Sequence, residues 1–258
     1  MNGPVILETR GLRKEFGALV AVDDVSIQVR AGTIHSVIGP NGAGKTTFFN
    51  LLTRNVEPTA GRVYFKGRDI TRLPVHRRAH LGMGRSFQIT NIFPNLTVLE
   101  NVRLAVQSLG RDNFRLLSHY RRFRRYEERA REIVEQVGLS PQALFLARML
   151  PHGGQRKLEL GMILAPDPDL LLLDEPTAGM AAEQVPELIT LIRQVQQAGR
   201  KTVILVEHNM NVVMSISDRI TVMHQGRVLA EGTPAEIAAN EVVQSAYLGA
   251  LYGEMKGA

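Results

Sequence analysis

Cysteine is absent from all 258 residues. Disulfide scaffolds, thiolate metal sites and cysteine nucleophiles are therefore excluded, and any site chemistry has to run on oxygen and nitrogen groups. Long apolar runs are missing as well. None approaches the roughly 18 consecutive residues that a membrane helix needs, and the densest are short blocks such as Leu170 to Leu173. The opening MNGPVILETR has neither a basic n-region nor an apolar h-region, which predicts no secretory signal and no export. No internal repeat or low-complexity tract interrupts the chain.

What is there suits a globular protein. With 44% hydrophobic and 22% charged residues, the chain can bury a real core in one large domain or two small ones. Lys and Arg exceed Asp and Glu by 31 to 25; that mild excess suits an acidic partner such as a nucleotide, a nucleic acid or an anionic lipid surface, without choosing among them. Much of it lies in the run from His119 to Arg131, which reads as a solvated helix face, a membrane-facing or partner-facing basic patch being the other reading.

Val25, Ile27 and Val29 alternate with polar neighbours as a half-buried strand does, and Gly32 punctuates the turn before a second strand, Thr33 to Ile38. A glycine-rich loop follows. From Lys45 the spacing of Phe48, Leu51, Leu52 and Val56 predicts a helix stopped by Glu57 and Pro58. Residues 97–165 read as helices with little strand signal, an inserted helical subdomain. The alternation then resumes: a strand at Leu170–Asp174, a helix from Glu183 to Ala198, a strand in TVILVEH, and a helix from Met210 to Ser217. Two short strands then flank Gln225 and Gly226. Strands separated by helices of this length predict an α/β fold, a parallel sheet with helices on both faces.

Gly39-Pro40-Asn41-Gly42-Ala43-Gly44-Lys45-Thr46 fits G-x-x-x-x-G-K-[ST] between a predicted strand and a predicted helix. Glycines let successive backbone N–H groups point into one concavity, and the helix N-terminus adds partial positive charge there. Lys45 can reach terminal phosphates, and the Thr46 hydroxyl can bind Mg²⁺. Each part answers a feature of a metal triphosphate. Leu170 to Leu173, apolar without alternation, predict a strand buried on both faces that ends in Asp174 and Glu175. In open parallel sheets ligands sit at the carboxyl ends of the strands. Alone, an Asp-Glu pair is as readily a turn or helix cap; beside a phosphate loop, Asp174 is placed to hold Mg²⁺ through its water shell. Glu175 is placed to orient or deprotonate an attacking water. His208 ends another such strand and is a candidate contact for a γ-phosphate.

With these pieces in order the chain resembles, over nearly its whole length, the nucleotide-binding subunits of ATP-binding cassette (ABC) transporters. Gly84 to Ala105, the EHNM at Glu207–Met210 and the ending from Gly232 to Gly249 resemble most the ATPase subunits of branched-chain amino-acid importers, whose relatives handle amides or urea. The resemblance implies one ABC ATPase domain over 1–258. Its P-loop NTPase (RecA-like) core and antiparallel β subdomain would span 1–88 and 166–258, and its helical subdomain 89–165. It implies ATP and Mg²⁺ as cofactors, gripped by Gly39 to Thr46 with Thr47 beside them, and adenine stacked on Phe16, which could equally be a core residue. Gln88 would contact Mg²⁺ or water and join Glu175, His208 and Lys45 in the catalytic set. It also implies a head-to-tail pair with a second ABC ATPase subunit, two transmembrane permease subunits, no nucleic-acid partner, and a peripheral place on the cytoplasmic face of the membrane.

In such pairs the signature loop of one chain closes over the nucleotide held by the other. The usual Leu-Ser-Gly-Gly-Gln aligns here with Leu150-Pro151-His152-Gly153-Gly154. Pro151 brings neither a hydroxyl nor an N–H, while Leu150, Gly153, Gly154 and the helix N-terminus remain. Ala181 stands where an Asp or Asn is usual. These departures imply an intact hydrolytic half-site in this chain and a weakened signature offered to its partner. Two other readings stand beside this one. A soluble cassette or a lipid exporter keeps the ATPase and changes the machine; only 129 positions separate Lys45 from Asp174, too few for the long coiled coil of DNA-repair cassettes. A GTP switch is disfavoured by the lack of an Asn-Lys-x-Asp motif, and a module without turnover by the presence of Glu175.

Overall fold

The computed structural model describes residues 3–86, 92–108, 121–199 and 201–246. In chain order come β1 (Val5–Phe16), β2 (Leu19–Val25), β3 (Gln28–Arg30), β4 (Ile34–Ile38), α1 (Lys45–Thr53), β5 (Ala60–Phe65) and β6 (Arg68–Asp69). α2 (Val75–His80), β7 (Met83–Arg85), α3 (Val98–Ser108), α4 (Arg121–Gln136) and α5 (His152–Leu164) follow. The chain continues through β8 (Leu170–Asp174), α6 (Val185–Gly199), β9 (Thr202–Val206), α7 (Met210–Ile216), β10 (Arg219–His224), β11 (Arg227–Gly232) and α8 (Pro234–Ala238).

Two sheets organise them. In the first, strands run in the order β11-β10-β4-β9-β8-β7; β10, β4, β9, β8 and β7 pair in parallel, and β11 closes one edge as an antiparallel hairpin with β10. The second is antiparallel, in the order β2-β1-β5-β6 with β3 also on β1. This is the P-loop NTPase arrangement that the sequence resemblance implies. Between the sheets lies α1, whose Phe48, Phe49, Leu51 and Leu52 are fully buried.

The run of leucines in β8 shows how the layers meet. Successive side chains of a strand point to opposite faces. Leu170 and Leu172 accordingly join α1 and the antiparallel sheet in one apolar cluster, while Leu171 and Leu173 pack with Leu158 of α5 and Leu188 and Ile192 of α6. Burial on both faces requires an unbroken apolar run, and the sequence supplies one. The apolar faces of α3, α4 and α5 belong to the same cluster as the sheet, so the helical stretch shares the core of the sheet rather than closing a core of its own.

Helix α1 ends three residues before Val56. Arg54 takes the left-handed conformation at φ 64°, and the N–H groups of Asn55 and Val56 both return to the carbonyl of Asn50. Arg54 is held there by Glu57 and by the carbonyl of Thr71. The expected strand through Val25, Ile27 and Val29 is the end of β2 and the start of β3; all three side chains are buried, as the alternation requires.

Candidate functional site

β4 sits inside the parallel sheet, so the loop that leaves it opens over the carboxyl ends of β9 and β10. That loop is Gly39 to Gly44, and α1 starts directly after it at Lys45. Gly44 has φ 95°, and a Cβ there would lie 2.3 Å from the Ala21 carbonyl oxygen of β2. Only glycine accepts both the backbone angle and the contact. The turn Gln225-Gly226 of the β10–β11 hairpin braces the loop from the other side: Gly226 N–H donates to the Ala43 carbonyl at 3.1 Å, and Asp23 N–H donates to the Gly226 carbonyl at 2.8 Å.

The Lys45 ammonium is buried and donates to the carbonyls of Gly39 (2.7 Å) and Pro40 (3.0 Å). Burial lowers its pKa, and the carboxylates of Glu175 and Asp174 work against that shift. Thr46, one residue on, is exposed. Asn41 to Thr47, Glu175, His208, Leu19 to Ala21 and the Gln225-Gly226 turn line a cleft of about 560 Å³.

The parity that sends Leu170 and Leu172 toward α1 sends Asp174 the same way, to the side of the phosphate loop. Its carboxylate is 1% exposed. Among the described residues neither oxygen has a hydrogen-bond partner, and Arg85 Nη2 stands 3.6 Å from Oδ2. Burial raises the Asp174 pKa, and the Arg85 guanidinium opposes the rise. Arg85 itself reaches back to Asn50 and Thr53 of α1, tying the phosphate-loop helix to the strand that carries the acid. A buried carboxylate whose oxygens lack a hydrogen-bond partner among the described residues, together with the exposed Thr46 hydroxyl at the start of α1, offers a set of oxygen donors. Such a set suits a hard divalent cation of the Mg²⁺ kind.

β8 and β9 end in register, Leu173 beside Leu205 and Asp174 beside Val206. The residues just beyond them therefore meet. Glu175 N–H donates to the Val206 carbonyl at 2.9 Å, and His208 Nε2 donates to Glu175 Oε1 at 2.8 Å. Glu175 has φ 49°, an uncommon backbone state for a side chain without a local reason for it, of the kind that gathers at functional sites. The turn aims the carboxylate out of the sheet and into the cleft.

The structure thus brings Lys45, Thr46, Asp174, Glu175 and His208 to one sheet edge. Phe16 is half-exposed at the tip of the β1–β2 hairpin under the ammonium of Lys14. It does not line the cleft; Leu19 and Val20 of the same hairpin do. Gln88 lies outside the described residues. Leu150, Gly153 and Gly154 stand at the start of α5, where Pro151 is the N-cap and offers no side-chain hydrogen bond. His152 packs against Gly179, its Cε1 3.3 Å from where a Cβ on that glycine would be. Arg85, Glu207 and the β2 wall of the cleft carry no signal in the sequence, because each depends on a partner more than 20 residues away.

Comparison with known proteins agrees with this geometry. Residues 22–178 match the ABC transporter family, and residues 227–251 match the branched-chain amino acid ATP-binding cassette transporter family. The chain is 42% identical over 249 residues to the high-affinity branched-chain amino acid transport ATP-binding protein LivG of Salmonella typhimurium, covering 95% of this chain and 98% of that one. It is similar in structure to an ATP-binding cassette of an ABC transporter in its ADP conformation, with TM-score 0.82 and 29% identity over 95% of this chain and 99% of the other. It is also similar to a dimeric ATP-binding cassette in a post-hydrolysis state bound to ADP and Pi, with TM-score 0.75 and 25% identity over 89% and 99% of the two chains.

Proposed function

This chain belongs to the ABC transporter family, and on that premise we propose that it is the ATP-hydrolysing subunit of an importer of branched-chain amino acids. The observation that carries the hydrolytic reading is the Glu175–His208 pair, joined at 2.8 Å at the mouth of the phosphate loop. The cargo rests on the likeness to LivG and on the match of residues 227–251.

On arrival of a triphosphate, the N–H groups from Gly42 to Thr46 cradle its oxygens, and Lys45 exchanges two loop carbonyls for the terminal phosphates. Glu175 accepts a hydrogen bond from a water in line with the γ-phosphate and takes its proton as the new oxygen–phosphorus bond forms and the bond from the γ-phosphorus to the β,γ-bridging oxygen breaks, leaving ADP and inorganic phosphate. His208 holds that carboxylate and donates toward the charge that develops on the γ-phosphate. Bound Mg²⁺ would supply positive charge at the terminal phosphates, held by Thr46 and, through water, by Asp174, with Gln88 as a further oxygen ligand. Phe16, at the hairpin tip above the cleft, offers a π face to adenine.

The partners in this reading are a second cassette, whose nucleotide the Leu150–Gly154 loop covers, and two permeases at the cytoplasmic face of the membrane. No helix among the described residues is long and apolar enough to cross a membrane, so the permeases would carry the path. An apolar groove of about 290 Å³ lined by Met83–Arg85 and Met162–Ile163 suits a permease helix. Glu175→Gln should keep ATP binding, hold the cassette pair closed and abolish turnover; normal turnover would refute the catalytic assignment. Vesicles carrying the assembled transporter should take up leucine in an ATP-dependent way, and uptake of urea in place of leucine would redirect the cargo.

A further inference from the structure

Glu207 is a carboxylate that the mechanism above does not use, yet it is 4% exposed at the end of β9. Burying a charge without partners is costly, so its partners report what it is for. Oε1 accepts from the backbone N–H of Thr177 at 3.0 Å and from the Thr177 hydroxyl at 2.5 Å. Oε2 accepts from the N–H of His208 at 3.1 Å and from that of Asn209 at 3.4 Å. One side chain therefore clamps two loops: the segment two residues beyond Glu175 and the segment that begins with His208. Asn209 continues the clamp by capping α7 through the N–H groups of Asn211 and Val212. The Thr177 side of the clamp also fixes the turn in which Ala178 N–H returns to the Glu175 carbonyl, the turn that holds Glu175 at positive φ.

We propose that Glu207 is a positioning residue for ATP hydrolysis: by accepting from both loops at once it sets the distance between His208 and Glu175. This rests on the hydrolytic reading above and goes beyond it, since Glu207 touches neither nucleotide nor water. A carboxylate is needed because all four donors point at it and only an acceptor with two oxygens can serve both sides. Glutamine keeps one oxygen and presents an NH₂ group to donors on the other side, which opens one half of the clamp while conserving shape.

The test is a double-mutant cycle on the full chain assembled with its cassette partner and permeases, read by single-turnover ATP hydrolysis so that slow variants remain measurable. Glu207→Gln should lower the hydrolysis rate about tenfold, the scale of one or two charge-assisted hydrogen bonds. The KM for ATP should move less than about twofold, because the phosphate loop is untouched. In a His208→Ala background the same substitution should cost almost nothing, since the group it positions is gone. Thr177→Val, which removes a single donor with little change of shape, should show the same coupling at a smaller scale, and it carries the test if Glu207→Gln does not fold. A wild-type rate in Glu207→Gln, or losses that multiply fully with those of His208→Ala, would overturn the assignment. Failure of the hydrolytic reading itself looks different: there, Glu175→Gln would turn over ATP like the wild type.

Discussion

Lys45 and Gly39 are joined by a 2.7 Å hydrogen bond from ammonium to carbonyl, so the lysine proposed to meet a terminal phosphate is folded onto its own loop. Burial weakens its hold on the proton, and Glu175 and Asp174 offset only part of that loss. A phosphate competes well for that ammonium, because it offers full negative charge where the carbonyls offer dipoles. Lys45→Ala should weaken ATP binding at least about tenfold and remove hydrolysis, the contact being partly made before the transition state and strengthened in it. Lys45→Arg should not rescue, since a planar guanidinium cannot occupy the pocket that a tetrahedral ammonium fills. Binding of a fluorescent ATP analogue, with a thermal melt to confirm the fold, checks both.

The phosphate loop can be probed without touching a charge. At Gly44 the backbone angle is 95° and the space for a Cβ is taken by the Ala21 carbonyl at 2.3 Å; at Gly42 the angle is 78° and nothing lies within 4 Å. Gly42→Ala should therefore cost only the strain of a left-handed alanine, about 1 kcal/mol. Gly44→Ala adds a clash with backbone, which neither β2 nor the loop can relieve cheaply. Its cost should be about 3 kcal/mol or more. Urea denaturation of the two variants compares them directly, and equal costs would mean that the loop yields at Gly44.

Those two glycines also mark what the sequence can and cannot convey. The motif spacing, the unbroken run Leu170–Leu173 and the sheet edge that carries Asp174 and, two residues past the end of β9 at Val206, His208 were legible because each is a local pattern whose physics is local: a nest of amides, a two-sided burial, an edge. β1 was not, since its bulges between Leu12 and Glu15 break the alternation and its outer face is lined by arginine, lysine and glutamate. β7 is three residues long and holds its place only by pairing with β8. The contact of Arg85 with Asp174 spans 89 positions, and the clamp of Glu207 on Thr177 spans 30. No periodicity reports such pairings. Phe16 is a different case: its chemistry suits a purine, and its place, half-exposed at the hairpin tip while Leu19 and Val20 line the cleft, is set by the turn and not by a local pattern.

The two composite sites of a cassette pair should differ in speed. Pro151 caps α5 without a side-chain acceptor, so in the proposed pair the signature loop would offer a partner's nucleotide the helix N-terminus without a side-chain hydroxyl at this position. With Glu175→Gln in this chain, only the site covered by this loop still hydrolyses; with the equivalent glutamate changed in the partner, only the site built on Lys45 and Glu175 does. The second arrangement should be several times faster. Pro151→Ser should narrow the gap, because Ser suits the N-cap, where the backbone is already at φ −60° and ψ 162°, and returns a hydroxyl to the loop. Equal rates in the two arrangements would remove the asymmetry.

His35 gives the fold an acid limit of its own. Its ring is 1% exposed in the middle of β4, with Nε2 at 2.7 Å from the Thr221 hydroxyl. Burial, helped by the charge of Arg219 on the paired strand, lowers its pKa from 6.5 to about 4. The unfolded chain therefore binds a proton as pH falls past 6.5, while the native chain stays neutral at this ring until about pH 4. Protons taken up by the unfolded state favour unfolding, so the contribution is fully present above pH 6.5 and is lost as pH falls toward 4. A shift of this size corresponds to about 3 kcal/mol, most of it gone by roughly pH 4.5. His35→Gln keeps a partner for Thr221 and cannot titrate. Urea melts at pH 7, 5.5 and 4.5 should then show the wild type losing about 2 to 3 kcal/mol more than the variant, the carboxylates titrating alike in both. A constant difference across that range would mean that His35 is protonated as readily in the folded chain as in the unfolded one.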